Sequence, residues 1–228
     1  MAIKVIAFDA DDTLWDNQSY YDKAEVELTR VLSAYGTPEH LSSEMFKTEM
    51  SNMKLLGYGA KAVCISMMET ALRISGNKLS GQEMSEIVSA GKALLTIPAT
   101  PLPGVVETLE TLQDTTYRLI LLTKGDMLDQ ENKIERSGLR KYFHRVVIVS
   151  NKGTEEYLNL CREEGCRPDE FLMVGNSFKS DIKPVLEIGG KGIHIPFHTT
   201  WAHEVVDEFE HKDVIKIKEF SQLKAILK

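Results

Sequence analysis

The feature that most narrows the folds open to this chain is a rhythm of short apolar runs separated by longer amphipathic stretches. The runs occupy residues 3–8, 118–122, 145–149, 171–174 and 192–195, and a weaker sixth covers 214–217. Each is bounded by polar or glycine residues, as strands buried on both faces should be. The second to fifth runs are separated by helix-sized segments. In one of them, Val105-Val106-Glu107-Thr108-Leu109-Glu110-Thr111-Leu112, the apolar positions fall three and four apart just after Gly104. This alternation predicts an α/β fold built on a doubly wound, mostly parallel sheet.

The first interval breaks the rhythm. Between Phe8 and Arg118 no run reads as a convincing strand. Helices are expected instead at 20–35, 42–56, 61–74 and 81–95, punctuated by Gly36-Thr37-Pro38, Gly57-Tyr58-Gly59 and Ser75-Gly76-Asn77. Met45, Met50, Met53, Met67 and Met68 lie here and read as adaptable packing for a helical core rather than a cofactor groove. The proline-rich run 97–104 reads as a stiff return to the sheet. The expected organisation is a core of residues 1–16 and 97–228 with an all-helical domain, 17–96, inserted into it.

Composition removes several function classes. Acidic residues outnumber basic ones 34 to 27, for a formal net charge of −7. A surface of that sign is repelled by nucleic-acid backbones and anionic membranes, although a local pocket can still hold one phosphate. Cys64, Cys161 and Cys166 form an odd, sparse set that reads as idle thiols in a reducing compartment. No apolar run approaches the ~20 residues of a membrane span. The opening residues 1–8 meet acid at once and do not read as a signal peptide. A cytoplasmic protein without nucleic-acid or membrane partners, monomeric or weakly homo-oligomeric, is the expectation.

The strand ends carry the chemistry. Strand one runs into Asp9-Ala10-Asp11-Asp12-Thr13. In open α/β sheets ligands bind outside the carboxyl ends of the strands. Crowded carboxylates there repel one another unless a cation or a reaction uses them; taken alone, the same turn also reads as a loop with Asx capping. Strand two ends in Thr123-Lys124-Gly125-Asp126, a hydroxyl and a glycine ahead of a helix, which suits an anion. Strand three is followed by Ser150-Asn151-Lys152, and strand four by Gly175-Asn176-Ser177-Phe178-Lys179-Ser180-Asp181. Singly, Thr123 reads as a helix cap, Lys152 as a solvated lysine and Asn176-Ser177 as a turn. Together they supply nucleophile, acid/base, hydroxyl, ammonium and hard oxygen ligands on successive strand ends.

In this order, Asp9-Ala10-Asp11-Asp12-Thr13, Thr123, Lys152 and Gly175-Asn176-Ser177 with Asp181 resemble the four motifs of the haloacid dehalogenase-like (HAD) hydrolases. The helical insertion resembles their C1 cap. The resemblance implies sheet order 5-4-1-2-3, which makes strands one and four neighbours where the winding reverses. It implies Asp9 as nucleophile, Asp11 as general acid/base, and Thr123 and Lys152 as catalytic groups that bind phosphoryl oxygens. Lys124 and Gly125 would join them in phosphate binding, with Lys124 open between a phosphate contact and a surface charge. Asp9, the Asp11 main-chain carbonyl, Asn176 and Asp181 would hold Mg²⁺, Asp181 directly or through water. Asn176 stands where many relatives carry Asp, which removes one negative charge.

The expected reaction is Mg²⁺-dependent hydrolysis of a small phosphorylated metabolite through an aspartyl-phosphate intermediate. Asp9 attacks phosphorus, Asp11 protonates the leaving alcohol and then activates water, and the cap closes over the site. A phosphomutase is the nearest alternative, sharing the nucleophile. A dehalogenase needs no acid at Asp11. A phospho-accepting receiver would carry its Asp after strand three, where this chain has Val149-Ser150-Asn151. His194, His198, His203 and His211 fall close together with Trp201 after the fifth strand, and read either as a metal cluster or as a loop at the rim of the site.

Overall fold

The structure, a computed structural model, describes residues 2–227. Side-chain alternation on the central strand β1 (Val5–Phe8) explains why the sheet is covered on both faces. Ile6 and Phe8 point into one apolar cluster with Leu119, Leu121, Leu172 and Val174. Val5 and Ala7 point into another with Ile120, Leu122, Phe171 and Met173. The partners of β1 are β2 (Arg118–Lys124) and β4 (Phe171–Gly175), both parallel to it. Beyond them lie β3 (Arg145–Val149) on one side, and β5 (Lys191–His194) and β6 (Val214–Lys216) on the other. The six-stranded order is β3-β2-β1-β4-β5-β6 and every pairing is parallel. It contains the expected 5-4-1-2-3 order, and the weak sixth run extends it beside β5.

Both edge strands depart from expectation, β6 because it pairs with β5 alone and is half-buried to exposed. β3 pairs with β2 alone, so its residues are half-buried throughout rather than enclosed on both faces. An edge position removes the second neighbour whatever the strand's own hydrophobicity. β2 also runs two residues past 122, because pairing with β3 continues to Lys124 against Val149.

The chain divides into two units. One comprises residues 2–18, Ala99–Lys124 and 134–227, and contains the sheet. Against it pack α5 (Val105–Gln113), whose Val105, Leu109 and Leu112 reach the first cluster, and α7 (Thr154–Glu163), whose Tyr157 and Leu160 reach the second. The other unit comprises Ser19–Pro98 and Gly125–Lys133. Four helices supply most of it: α1 (Gln18–Val31), α2 (Pro38–Leu56), α3 (Ala60–Ser75) and α4 (Gly81–Ala93). Leu28, Leu32, Leu41, Met45, Met67 and Ile87 form its core, while Met50 and Met53 lie outside that cluster.

Helix starts are set by local capping that periodicity alone misses. α2 begins at Pro38 rather than Ser42 because the Thr37 hydroxyl accepts the His40 N–H and proline suits the first turn. α4 opens on a capping box in which Ser80 and Glu83 satisfy each other's amides. α6 (Met127–Ser137) follows β2, and α8 (Lys183–Glu187) follows a π-helical turn, Phe178–Ile182. Among the described residues no helix is long and apolar enough to cross a membrane.

Candidate active site

The carboxyl ends of β1 and β4 meet where the winding reverses, the position at which open α/β sheets bind ligands. Asp9 leaves β1 with its N–H on the Val174 carbonyl at 2.9 Å, so β4 fixes its backbone. Its buried side chain has two partners. Oδ2 accepts from the Thr13 hydroxyl at 3.0 Å, and Oδ1 accepts from the Lys152 ammonium. The turn 9–13 is closed by the N–H groups of Thr13 and Leu14 on the Ala10 carbonyl. That turn brings Thr13, four residues on, back against Asp9.

Lys152 reaches in from the loop after β3 with only 2% of its side chain exposed. It also donates to Asp181 Oδ1 at 2.9 Å, so one ammonium joins carboxylates from two motifs. Asp181 is itself oriented through Oδ2, which accepts the Ser177 N–H at 3.0 Å. Gly175 makes room for it: a Cβ at that position would collide with the Asp181 carboxylate. Asn176 joins from above β4, its N–H donating to Thr13 Oγ1 at 3.0 Å and its side-chain oxygen 3.1 Å from the same hydroxyl. Asp9, Lys152, Asp181 and Asn176 are thus brought together, with Thr13 and Lys152 as the links.

The charges respond to burial. Desolvation pushes the Asp9 carboxyl up to about 7, against the opposing pull of Lys152 and with help from the like charge of Asp181. Burial alone would lower the Lys152 ammonium, but the fields of Asp181 and Asp9 outweigh it and hold the group protonated. The lysine has two carboxylates to set against its desolvation. Asp9 has one ammonium and a second carboxylate close by.

The remaining sequence-predicted residues are placed differently. The Asp11 carboxylate turns to the indole of Trp15, accepting from Nε1 at 2.8 Å. Asp12 adopts a left-handed backbone, φ 63°, and its Oδ1 accepts the N–H groups of Asn17 and Gln18. That cap starts α1 earlier than residue 20. Thr123 is buried at the end of β2, across from Ile148. Gly125 follows with φ +153°, and a side chain there would press on Gln130.

Lys124 is largely enclosed rather than a surface charge. Its ammonium donates to Glu204 Oε1 at 2.8 Å and to Ser180 Oγ at 3.1 Å. Glu204 was not singled out by sequence, because it lies in a short 3-10 turn, Ala202–Glu204, after β5 with no motif around it. Thr13 and Ser180 were legible only as members of their motifs.

The histidines form no metal site: among the described residues, no cluster of three or more His, Cys, Asp and Glu is arranged to hold one. His194 Nε2 lies 2.9 Å from the Asn176 carbonyl, and burial lowers its pKa. His203 Nε2 sits 3.2 Å from Lys179. All three cysteines are free thiols.

The sequence profile of the haloacid dehalogenase-like hydrolases matches residues 3–189. Glyceraldehyde 3-phosphate phosphatase of Methanothermobacter thermautotrophicus is 27% identical over 238 residues, 99% of this chain and 100% of that one. N-acylneuraminate-9-phosphatase of Rattus norvegicus is 24% identical over 200 residues, 83% of this chain and 80% of its own. Among solved structures, a haloacid dehalogenase-like family hydrolase from Xanthomonas campestris superposes with a TM-score of 0.89 at 34% identity, covering 99% of this chain and 91% of that one.

Proposed function

The chain belongs to the haloacid dehalogenase-like hydrolases, and within them we propose that it is a Mg²⁺-dependent phosphatase acting on a small phosphorylated metabolite through an aspartyl phosphate on Asp9. The observation that carries this reading is the buried carboxylate at the end of β1, held by Thr13 on one oxygen and by Lys152 on the other. Support for the substrate class comes from relatives named as phosphatases of glyceraldehyde 3-phosphate and of N-acylneuraminate 9-phosphate.

The donor set suits Mg²⁺, which takes hard oxygens and usually one or two carboxylates. Asp9 and Asp181 already converge on one cation, the Lys152 ammonium, and Asn176 shares the Thr13 hydroxyl with Asp9. Asp9, the Asp11 carbonyl, Asn176 and Asp181 are the residues we assign to hold the ion. When bound, it offsets the charge that keeps an anionic phosphate away from an anionic nucleophile.

Asp9 attacks phosphorus as the carboxylate. Asp11, anchored at Oδ1 by Trp15, gives a proton to the departing alcohol and later takes one from the attacking water. Lys152 and Thr123 carry the phosphoryl oxygens, with the Gly125 amide, as charge builds on them. Lys124, with Glu204 and Ser180 as partners, is a further candidate for this set. The division into a core of residues 1–16 and 97–228 and a helical cap of 17–96 belongs to the same proposal, with choice among phosphate esters assigned to the cap.

The test is release of inorganic phosphate from p-nitrophenyl phosphate and from glyceraldehyde 3-phosphate. Asp9→Asn is expected to lower turnover by about a thousandfold or more. Chelation should remove wild-type turnover and added Mg²⁺ restore it. Near-normal turnover by the Asp9→Asn protein would remove Asp9 from the chemistry.

A further inference from the structure

The turn that presents Asp181 is clamped from two sides. From α7, the Tyr157 hydroxyl donates to the Ser180 carbonyl at 2.9 Å. From the segment after β5, the Glu204 carboxylate enters. Its Oε2 accepts from the Ser177 hydroxyl at 2.5 Å and from the Ser180 hydroxyl at 2.7 Å. These two serines bracket the turn: the Ser180 N–H donates to Ser177 Oγ at 3.0 Å, and the Asp181 N–H to the Ser177 carbonyl at 2.9 Å. Oε1 takes the Lys124 ammonium, and both members of that pair are 14% exposed.

We propose that Glu204 is a positioning residue of the active site, fixing the Asp181 carboxylate by clamping Ser177 and Ser180 while neutralising Lys124. Removing it takes the acceptor from both hydroxyls and one carboxylate from a largely buried ammonium. The disturbance travels along one short chain of contacts, from Ser177 and Ser180 to Asp181, Lys152 and Asp9. Glu204 is assigned no contact with the reacting atoms, and its main effect, through Asp181, falls on the rate at which the bound ester reacts, with any change in binding confined to what Lys124 contributes. The kinetic part of this inference rests on the phosphatase reading.

Two measurements decide it. In the first, kcat and KM for p-nitrophenyl phosphate are compared for the wild type, Glu204→Ala, the doubly substituted Ser177→Ala/Ser180→Ala protein, and the combination of all three changes. Glu204→Ala is expected to lower kcat about tenfold to a hundredfold, the usual cost of losing a group that orients a ligand-bearing residue, with KM changed less than about threefold. On the doubly substituted background the same change should cost at least about threefold less than it does in the wild type, because only the pairing with Lys124 is left to lose. An unchanged kcat, or full additivity of the two effects, overturns the proposal.

The second measurement needs no turnover. Hydrogen exchange of the Ser180 and Asp181 amides, read by NMR, should be faster in Glu204→Ala by about tenfold or more while amides of β1 and β2 keep their rates. Unchanged exchange at both positions also overturns the proposal. If the wild type shows no Mg²⁺-dependent turnover, the phosphatase reading falls and this exchange result alone decides the role of Glu204.

Discussion

Where the strands begin, Lys4 reaches Glu170 at 2.9 Å, and Arg145 pairs with Glu163 at 2.7 Å and with Glu164 at 3.0 Å. Lys4 and Arg145 are 61% and 38% exposed, so each of these pairs keeps its cation in water, and in the Arg145–Glu163 pair both partners are exposed even though Glu164 itself is enclosed. Where the strands end, Lys152 is enclosed between Asp9 and Asp181, and Lys124 meets Glu204 out of most of the solvent. Both rims pair basic side chains with carboxylates, and the physics differs. Exposed pairs gain little because water screens them and long side chains lose freedom. Enclosed pairs have surrendered their hydration, so each charge depends on its partner. A fold does not gain much stability by burying them, which points to use rather than to architecture.

The largest test of this contrast is Lys152→Met. It leaves Asp9 and Asp181 buried together without their ammonium, and breaking a buried pair in this way costs about 3–5 kcal/mol. Urea unfolding at neutral pH without divalent cations should show that loss, and a loss below about 1 kcal/mol would erase the distinction between the rims.

Acid should reveal Glu204 next. Burial pushes its carboxyl up, but Lys124 and the hydrogen bonds from Lys124, Ser177 and Ser180 prevail and bring it down to about 2 from 4.5. A carboxyl held low in the folded state contributes stability above its unfolded value and loses it as pH falls through the folded one. The window is therefore about pH 4.5 down to 2, and the contribution at most about 3 kcal/mol. Unfolding measured across that window should lose this slope in Glu204→Gln; an identical slope would mean the pair is solvated.

Gly175→Ala comes third. The added methyl meets the Asp181 carboxylate, and overpacking of this kind costs about 1–3 kcal/mol. Denaturant melts and phosphatase turnover should fall together, since Asp181 must move. The smallest effect belongs to the exposed pair of Arg145 and Glu163: Glu163→Ala should change stability by less than about 1 kcal/mol, with turnover intact.

Much of this was legible in sequence. Apolar runs located all six strands, and β6 proved to be a strand at the far edge. Helices in the 20–95 region fell near their observed places, with errors at the starts, where Thr37 and Asp12 act as caps, and at the end of α1, which stops at Val31 rather than residue 35. The burial of β3 was misjudged, because an edge position is a property of the sheet and not of the strand. In the site, Asp9, Asn176, Asp181 and Lys152 announced themselves by following strands. Glu204 did not, since nothing in Trp201-Ala202-His203-Glu204 marks it apart from other loop acids.

What the sequence by itself determined is the parallel sheet and the set of groups at its strand ends, because periodicity and chain order are one-dimensional properties that survive folding. Only the tertiary structure decided how those groups pair. It gave Lys152 to two carboxylates, Lys124 to Glu204 and Asp11 to Trp15. Pairing depends on distance and dehydration between residues as far apart in the chain as Asp9 and Lys152, and no local pattern encodes either.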